Sequence, residues 1–126
     1  MASTLAKRLG IKDGMVLLAI NAPRDYRALL GTPLRFATKP PKGGADFIHL
    51  FADTLAGLDR DLPRAVKAMK PDGMIWVSRY KKASGIATDV EENLIRERAW
   101  RLGLKDMQVR AVGDLWSAIK LVNARH

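Results

Sequence analysis

The chain has 126 residues, a length suited to one domain that hides about two-thirds of the surface its unfolded form exposes. It contains no cysteine, which excludes disulfides and thiolate metal sites and fits a reducing cytoplasm. Its 22 basic and 13 acidic side chains give a net charge of +9, a field that favours anionic partners such as phosphates, nucleotides or nucleic acid.

The opening residues MASTLAKRLG carry too short an apolar run for a signal peptide, and no stretch approaches the roughly 18 apolar residues of a spanning helix. A soluble, cytoplasmic protein with no membrane partner is therefore expected. Thr4 to Leu9 reads as a short helix capped by Ser3 or Thr4 and ended by Gly10. Lys12-Asp13-Gly14 turns the chain into Met15 to Ile20, a run apolar on both faces, as befits a strand covered by helices above and below. Pro23 suits the first position of a helix, because its missing N–H would be unpaired there anyway, and Gly31 ends that helix after Leu30.

Leu34 to Thr38 is the next predicted strand, followed by Lys39-Pro40-Pro41-Lys42, whose prolines forbid regular structure. Asp46 to Phe51 predicts a third strand, with Phe47, His49 and Phe51 on one face and Ile48 and Leu50 on the other. From Ala52 to Lys70 the positions Leu55, Leu58, Leu62, Val66 and Met69 keep helical spacing. Pro63 predicts a break there into two helices, with Asp61 capping the second. Pro71-Asp72-Gly73 reads as a turn before a fourth strand, Met74 to Ser78.

Thr88 and Glu91 predict a capping box opening a helix through Leu94, Ile95, Ala99 and Leu102, closed by Gly103. Lys105 to Val112 alternates as an edge strand would, and a last strand runs from Leu115 or Trp116 to Val122. Strands separated by helices imply a parallel sheet with helices on both faces. The final pair, joined by too few residues for a crossover, must be antiparallel.

Lys70-Pro71-Asp72-Gly73-Met74-Ile75-Trp76-Val77 resembles the Lys-Pro-Gly-Gly turn and strand of class I methyltransferases, whose fold also ends in an antiparallel pair. That resemblance implies a truncated Rossmann-like α/β domain over residues 1–126, with an open, mostly parallel six-stranded sheet, helices on both faces, order 2-1-3-4-6-5 and the last strand antiparallel. It also implies S-adenosylmethionine as a cofactor and methyl transfer as an activity. More closely, Asn21-Ala22-Pro23, Ile75-Trp76-Val77, the loop Lys81 to Gly85 and the ending Gly113 to Val122 are similar to a bacterial family of unknown function, number 3052 of the domain-of-unknown-function series. That second likeness implies a fold rather than an activity.

Two departures from the methyltransferase pattern bear on the cofactor. The glycine-rich turn is replaced by Asn21-Ala22-Pro23-Arg24, and Pro23 removes an N–H that would have met a ligand. Thr38-Lys39-Pro40-Pro41 stands where an acidic residue would hold ribose hydroxyls. Asp53 is the nearby acid after the third strand, readable as a ligand residue or as a helix cap.

The expected topology brings the turns after the first four strands to one edge, at a switch point beside Asn21. The candidate ligand-binding residues on that edge are Asn21, Ala22, Pro23, Arg24, Tyr26, Lys39, Asp53, Arg79, Lys81, Lys82, Ser84 and Trp116. The acid-free segments Arg35 to Lys42 and Arg79 to Lys82 would add their fields there and attract an anion, with Trp116 as an aromatic wall or cation–π partner. The alternative is that these basic residues are merely solvated. Lys81 to Gly85 holds phosphate-loop residue types in reversed order.

His49, within an apolar strand, reads as a buried, hydrogen-bonded ring rather than a base, and His126 is terminal. No catalytic residues and no metal site are assigned. Three readings stand: a domain binding an anionic small molecule, a nucleotide or other phosphate-bearing compound; a divergent methyltransferase; and an interaction module for nucleic acid or an acidic protein, for which no recognition motif is present.

Overall fold

A computed structural model describes residues 4–124; Ser3 and His126, singled out above, lie outside them. The described elements are α1 (Leu5–Arg8), β1 (Leu17–Ile20), α2 (Tyr26–Leu30), β2 (Ala45–Phe51), α3 (Leu55–Ala68), β3 (Met69–Tyr80), α4 (Glu92–Arg101), β4 (Leu104–Val112) and β5 (Trp116–Asn123). They form an α/β fold with an open five-stranded sheet in the order β1-β2-β3-β5-β4. β1, β2 and β3 are parallel, whereas β5 runs antiparallel to both β3 and β4.

The six-stranded expectation, with its order 2-1-3-4-6-5, is corrected by this sheet. Leu34 to Thr38 contributes one bridge, Leu18 with Ala37, through two backbone bonds, Ala19 N–H to Ala37 O at 2.9 Å and Ala37 N–H to Leu17 O at 2.8 Å. Pro33, Pro40 and Pro41 hem that segment in; proline donates nothing to a ladder and constrains the residue before it. The bridge lies on the side of β1 opposite β2, so the chain still leaves β1 on one side and returns on the other.

Alternation along the strands divides the interior in two. Leu18, Ile48, Leu50, Ile75, Val77, Ile119 and Leu121 pack with Leu58, Leu62 and Ala65 of α3 and Ile95 and Ala99 of α4. On the opposite face Leu17, Ala19, Phe47, Phe51, Trp76 and Ala118 pack with Leu5 and Leu9 from the α1 region and Tyr26 and Leu30 of α2. Each fully buried Leu, Ile or Phe contributes about 1.5–3 kcal/mol, so both faces of the central strands are committed. Trp76 Nε1–H also donates to Leu9 O at 2.9 Å, tying α1 to the sheet.

Three local expectations are corrected. Residues 55–68 form one helix with Pro63 inside it, capped by Thr54, whose hydroxyl accepts from Gly57 N–H at 3.0 Å. The Thr88–Glu91 box does not form: Thr88 Oγ1 donates to Asp53 O at 2.8 Å and accepts from Val90 N–H, and α4 begins at Glu92. Pro71-Asp72-Gly73 lies within β3, where the register jumps from Ala45 with Met69 to Phe47 with Met74. A Cβ on Gly73 would stand 3.0 Å from Ala45 O and 2.9 Å from Met69 Cγ, so this bulge requires glycine.

Between α2 and the sheet lies a buried polar chain. Tyr26 Oη is 2.9 Å from His49 Nδ1, and Ser78 Oγ is 2.6 Å from His49 Nε2. A neutral imidazole meets both by accepting at one nitrogen and donating at the other. Burial pushes the His49 pKa down to about 3 and raises that of Tyr26. Because the folded His49 value lies below the ordinary 6.5, the unfolded chain binds the extra proton, and stability is lost as pH falls from about 6.5 toward 3. Urea denaturation between pH 7.5 and 5 is expected to show a loss approaching ~1.4 kcal/mol per pH unit on the acid side. His49→Gln is expected to be less stable at pH 7.5 and nearly flat over that range.

Candidate functional site

The carboxyl ends of β1, β2 and β3 open on one edge. Asn21, the first residue beyond β1, has φ of 59°, a left-handed conformation that asparagine tolerates better than most side chains. Its amide donates from Nδ2 to Asp61 Oδ2 at 2.9 Å and to Phe51 O at 3.4 Å. Asp61 is a buried acid of α3 and is gripped from the other side by Arg60, whose Nε and Nη2 donate to Oδ1 and Oδ2, both at 3.0 Å. The Arg60 guanidinium, with the Asn21 amide assisting against burial, holds the Asp61 carboxyl below the usual carboxylate range. Asp61 is thus a link between β1 and α3 and not the helix cap expected from the sequence.

Two cavities meet at this turn and share Asn21 and Pro23 as walls. The first, about 380 Å³, lies between the β1 turn and the short segment that bridges β1, and is lined among others by Arg24, Tyr26, Arg27, Phe36 and Thr38. No acidic side chain lines it. Arg24 and Arg27 are both exposed, and neither has an ion-pair partner among the described residues. Arg27 Cζ sits 5.3 Å from the Phe36 ring centre, a cation–π contact that steadies its head group.

The second cavity, about 310 Å³, is lined by Asn21, Pro23, Phe51, Asp53, Arg60, Tyr80 and Trp116. Tyr80 and Trp116 are cross-strand partners in the β3–β5 ladder, and their rings stack with centres 4.0 Å apart and planes 21° apart. Phe51 meets Trp116 edge-on at 4.9 Å. Asp53 stands on the rim, its carbonyl held by Thr88, while the cap of α3 is Thr54.

The sequence-predicted residues therefore divide. Asn21, Pro23, Asp53 and Trp116 come together in the second cavity, and Ala22, Arg24 and Tyr26 join Asn21 and Pro23 in the first. Tyr26 also faces His49 and is only 3% exposed. Arg79 and Lys82 line a further hollow of about 280 Å³, with Thr88 and Glu91, that shares Tyr80 with the second cavity. Lys81 reaches Gly113 O at 3.5 Å, and Ser84 Oγ donates to Lys81 O at 2.6 Å while accepting from Ile86 N–H, so this loop is knitted to itself. Lys39 is exposed beyond the bridge segment.

Among the described residues Trp116 takes Tyr80 and Phe51, and no lysine, as its ring partners. Sequence reasoning passed over Arg27, Thr38, Phe51 and Arg60. Arg27 lies three residues after Arg24, a spacing that puts both on one surface of the helix expected from Pro23, although α2 begins only at Tyr26 and Arg24 sits in the turn before it. Arg60 carried no such signal, because its place depends on the continuity of α3 through Pro63.

Asn21→Ala is expected to cost about 1–3 kcal/mol in urea denaturation, since it leaves a buried carboxylate short of a donor and keeps a side chain in the left-handed region. Asn21→Gly, free of that strain, is expected to recover about 1 kcal/mol of the loss.

Comparison with solved structures finds the same fold in methyltransferases. Magnesium protoporphyrin IX methyltransferase (ChlM) from Synechocystis PCC 6803, solved with bound SAM, matches with a TM-score of 0.65 at 11% identity, over 95% of this chain and 74% of that one. The M1A22 tRNA methyltransferase TrmK of B. subtilis matches at 0.60 and 12% identity, over 98% and 67%. The ribosomal protein L11 methylase of Lactobacillus delbrueckii subsp. bulgaricus matches at 0.59 and 10% identity, over 94% and 74%. At such identities the likeness shows the fold alone. No curated protein matches the chain. Residues 51–125, from the last residue of β2 through α3, β3, α4 and the antiparallel pair, match the family described as "Protein of unknown function (DUF3052)", and the chain belongs to that family.

Proposed function

We propose that this protein binds an anionic, phosphate-bearing small molecule at the carboxyl edge of its sheet. The observation that carries the reading is the first cavity, where Arg24 and Arg27 meet Asn21 and Thr38 with no acid in the lining. Two arginine forks supply charge-assisted bonds to phosphate oxygens, and the Thr38 hydroxyl adds a rotatable donor. The net charge of +9 favours delivery of an anion to the edge. Lys39, just beyond Thr38, adds to the field at the mouth.

The knitted loop Lys81 to Gly85 has a secondary part in this reading: Ser84 already spends its hydroxyl within the loop. Calorimetry with ribose 5-phosphate and inorganic phosphate at low salt is expected to give binding in the millimolar range or tighter. Arg24→Met/Arg27→Met is expected to weaken it tenfold or more, whereas Lys81→Ala/Lys82→Ala changes it less than threefold. Absence of any arginine-dependent binding would refute the reading.

A second reading, a divergent methyltransferase using S-adenosylmethionine, draws on the fold shared with ChlM, solved with bound SAM, and on Asp53 at the rim of the second cavity. It predicts saturable binding of S-adenosylmethionine that Asp53→Ala weakens; no heat at millimolar cofactor would end it.

A further inference from the structure

The second cavity adds aromatic rings to a polar lining: Phe51, Tyr80 and Trp116 stand beside Pro23 and among Asn21, Asp53 and Arg60. Trp116 is 7% exposed while Tyr80 is half-buried, so Tyr80 is the ring of the stacked pair that a ligand can reach. Arg60 commits Nε and Nη2 to Asp61, which orients its guanidinium plane and leaves Nη1 without a partner among the described residues. Asp53 offers two carboxylate acceptors on the rim. A flat, heteroaromatic ring with exocyclic donors matches this set: it stacks on Tyr80 and beside the guanidinium plane, and it donates to Asp53.

The two cavities share Asn21 and Pro23, so a molecule reaching over that turn would place an anion on one side and a ring on the other. We propose that the Phe51–Tyr80–Trp116 cavity is the ring subsite of the same ligand, which makes the ligand class a nucleotide. The proposal rests on the phosphate reading of the Arg24–Arg27 cavity. Each cavity alone, at about 310 and 380 Å³, lies near the low end of small-molecule sites, and the two together provide the mixed apolar and polar lining such sites have. The strained Asn21 turn is then explained as the partition between them, held rigid by Asp61.

The test compares AMP with ribose 5-phosphate, which shares its phosphate and sugar and lacks the ring. AMP is expected to bind at least tenfold tighter, the scale of one base stacked on an aromatic side chain. Tyr80→Leu is expected to erase that advantage while leaving ribose 5-phosphate affinity unchanged, which also certifies that the variant is folded. Independently, in the unmutated protein, AMP and not ribose 5-phosphate is expected to shift the Trp116 indole N–H resonance, assigned with Trp116→Phe. Equal affinities with an unmoved Trp116 signal would overturn the ring subsite and leave the phosphate reading standing. Binding of neither compound would overturn both.

Discussion

A buried carboxylate has to be answered by donors, and much of this fold follows from how Asp61 is answered. Left alone in the interior it would cost several kcal/mol. Here Arg60 supplies two N–H groups and Asn21 a third. The Asn21 bond reaches across forty positions of sequence, from the end of β1 to the middle of α3, and so fixes the distance between the first strand and the helix that covers it. It also fixes the shape of the turn. Holding the amide at Asp61 goes with a left-handed backbone at Asn21, where nucleotide-binding sheets of this kind commonly place glycine. The polar link and the strained turn are therefore one feature.

The same link accounts for the continuity of α3. Proline inside a helix removes one ladder bond and crowds the carbonyl four residues back, at a cost of about 3 kcal/mol. A helix accepts that when its packing outweighs the loss. Leu58 and Leu62 before Pro63, with Ala65 after it, are fully buried against the sheet, and Asp61 is anchored between them. Breaking the helix at Pro63 would have freed Asp61 to cap a second one but would have pulled these contacts apart. Tertiary packing thus overrides the local signal of the proline.

How much the sequence revealed depends on whether the deciding interactions were local. Met15 to Ile20 is apolar on both faces, and Asp46 to Phe51 puts large apolar side chains on both of its faces, a pattern that announces strands covered on both sides. Gly31 at φ 79° and Gly103 at φ 80° end their helices as their chemistry demands. The edge position of β4 was legible too, but the alternation expected there does not translate into burial: every residue from Lys105 to Ala111 is exposed, Met107 and Val109 included. Leu34 to Thr38 misled because a propensity for strand says nothing about whether ladder partners exist, and on the outer side of β1 only Ala37 finds them. At the ligand edge, the turn residues Asn21 to Arg24 could be placed because they follow directly from β1. Arg60, Phe51 and Tyr80 could not be gathered into one cavity without the register of β2, β3 and β5 and the unbroken α3.

The reduction of that outer strand to one bridge has a consequence for the site. The single bridge at Ala37 sets Thr38 just beyond it, where Thr38 lines the cavity together with Arg24 and Arg27. Phe36 meets Tyr26 edge to face at 5.1 Å and carries the Arg27 head group over its ring. The position occupied by Thr38 and Lys39 is one where an acid would serve a ribose. No acid stands there, and Arg24 and Arg27 line the neighbouring cavity, so the methyltransferase-like sheet carries positive charge at this edge.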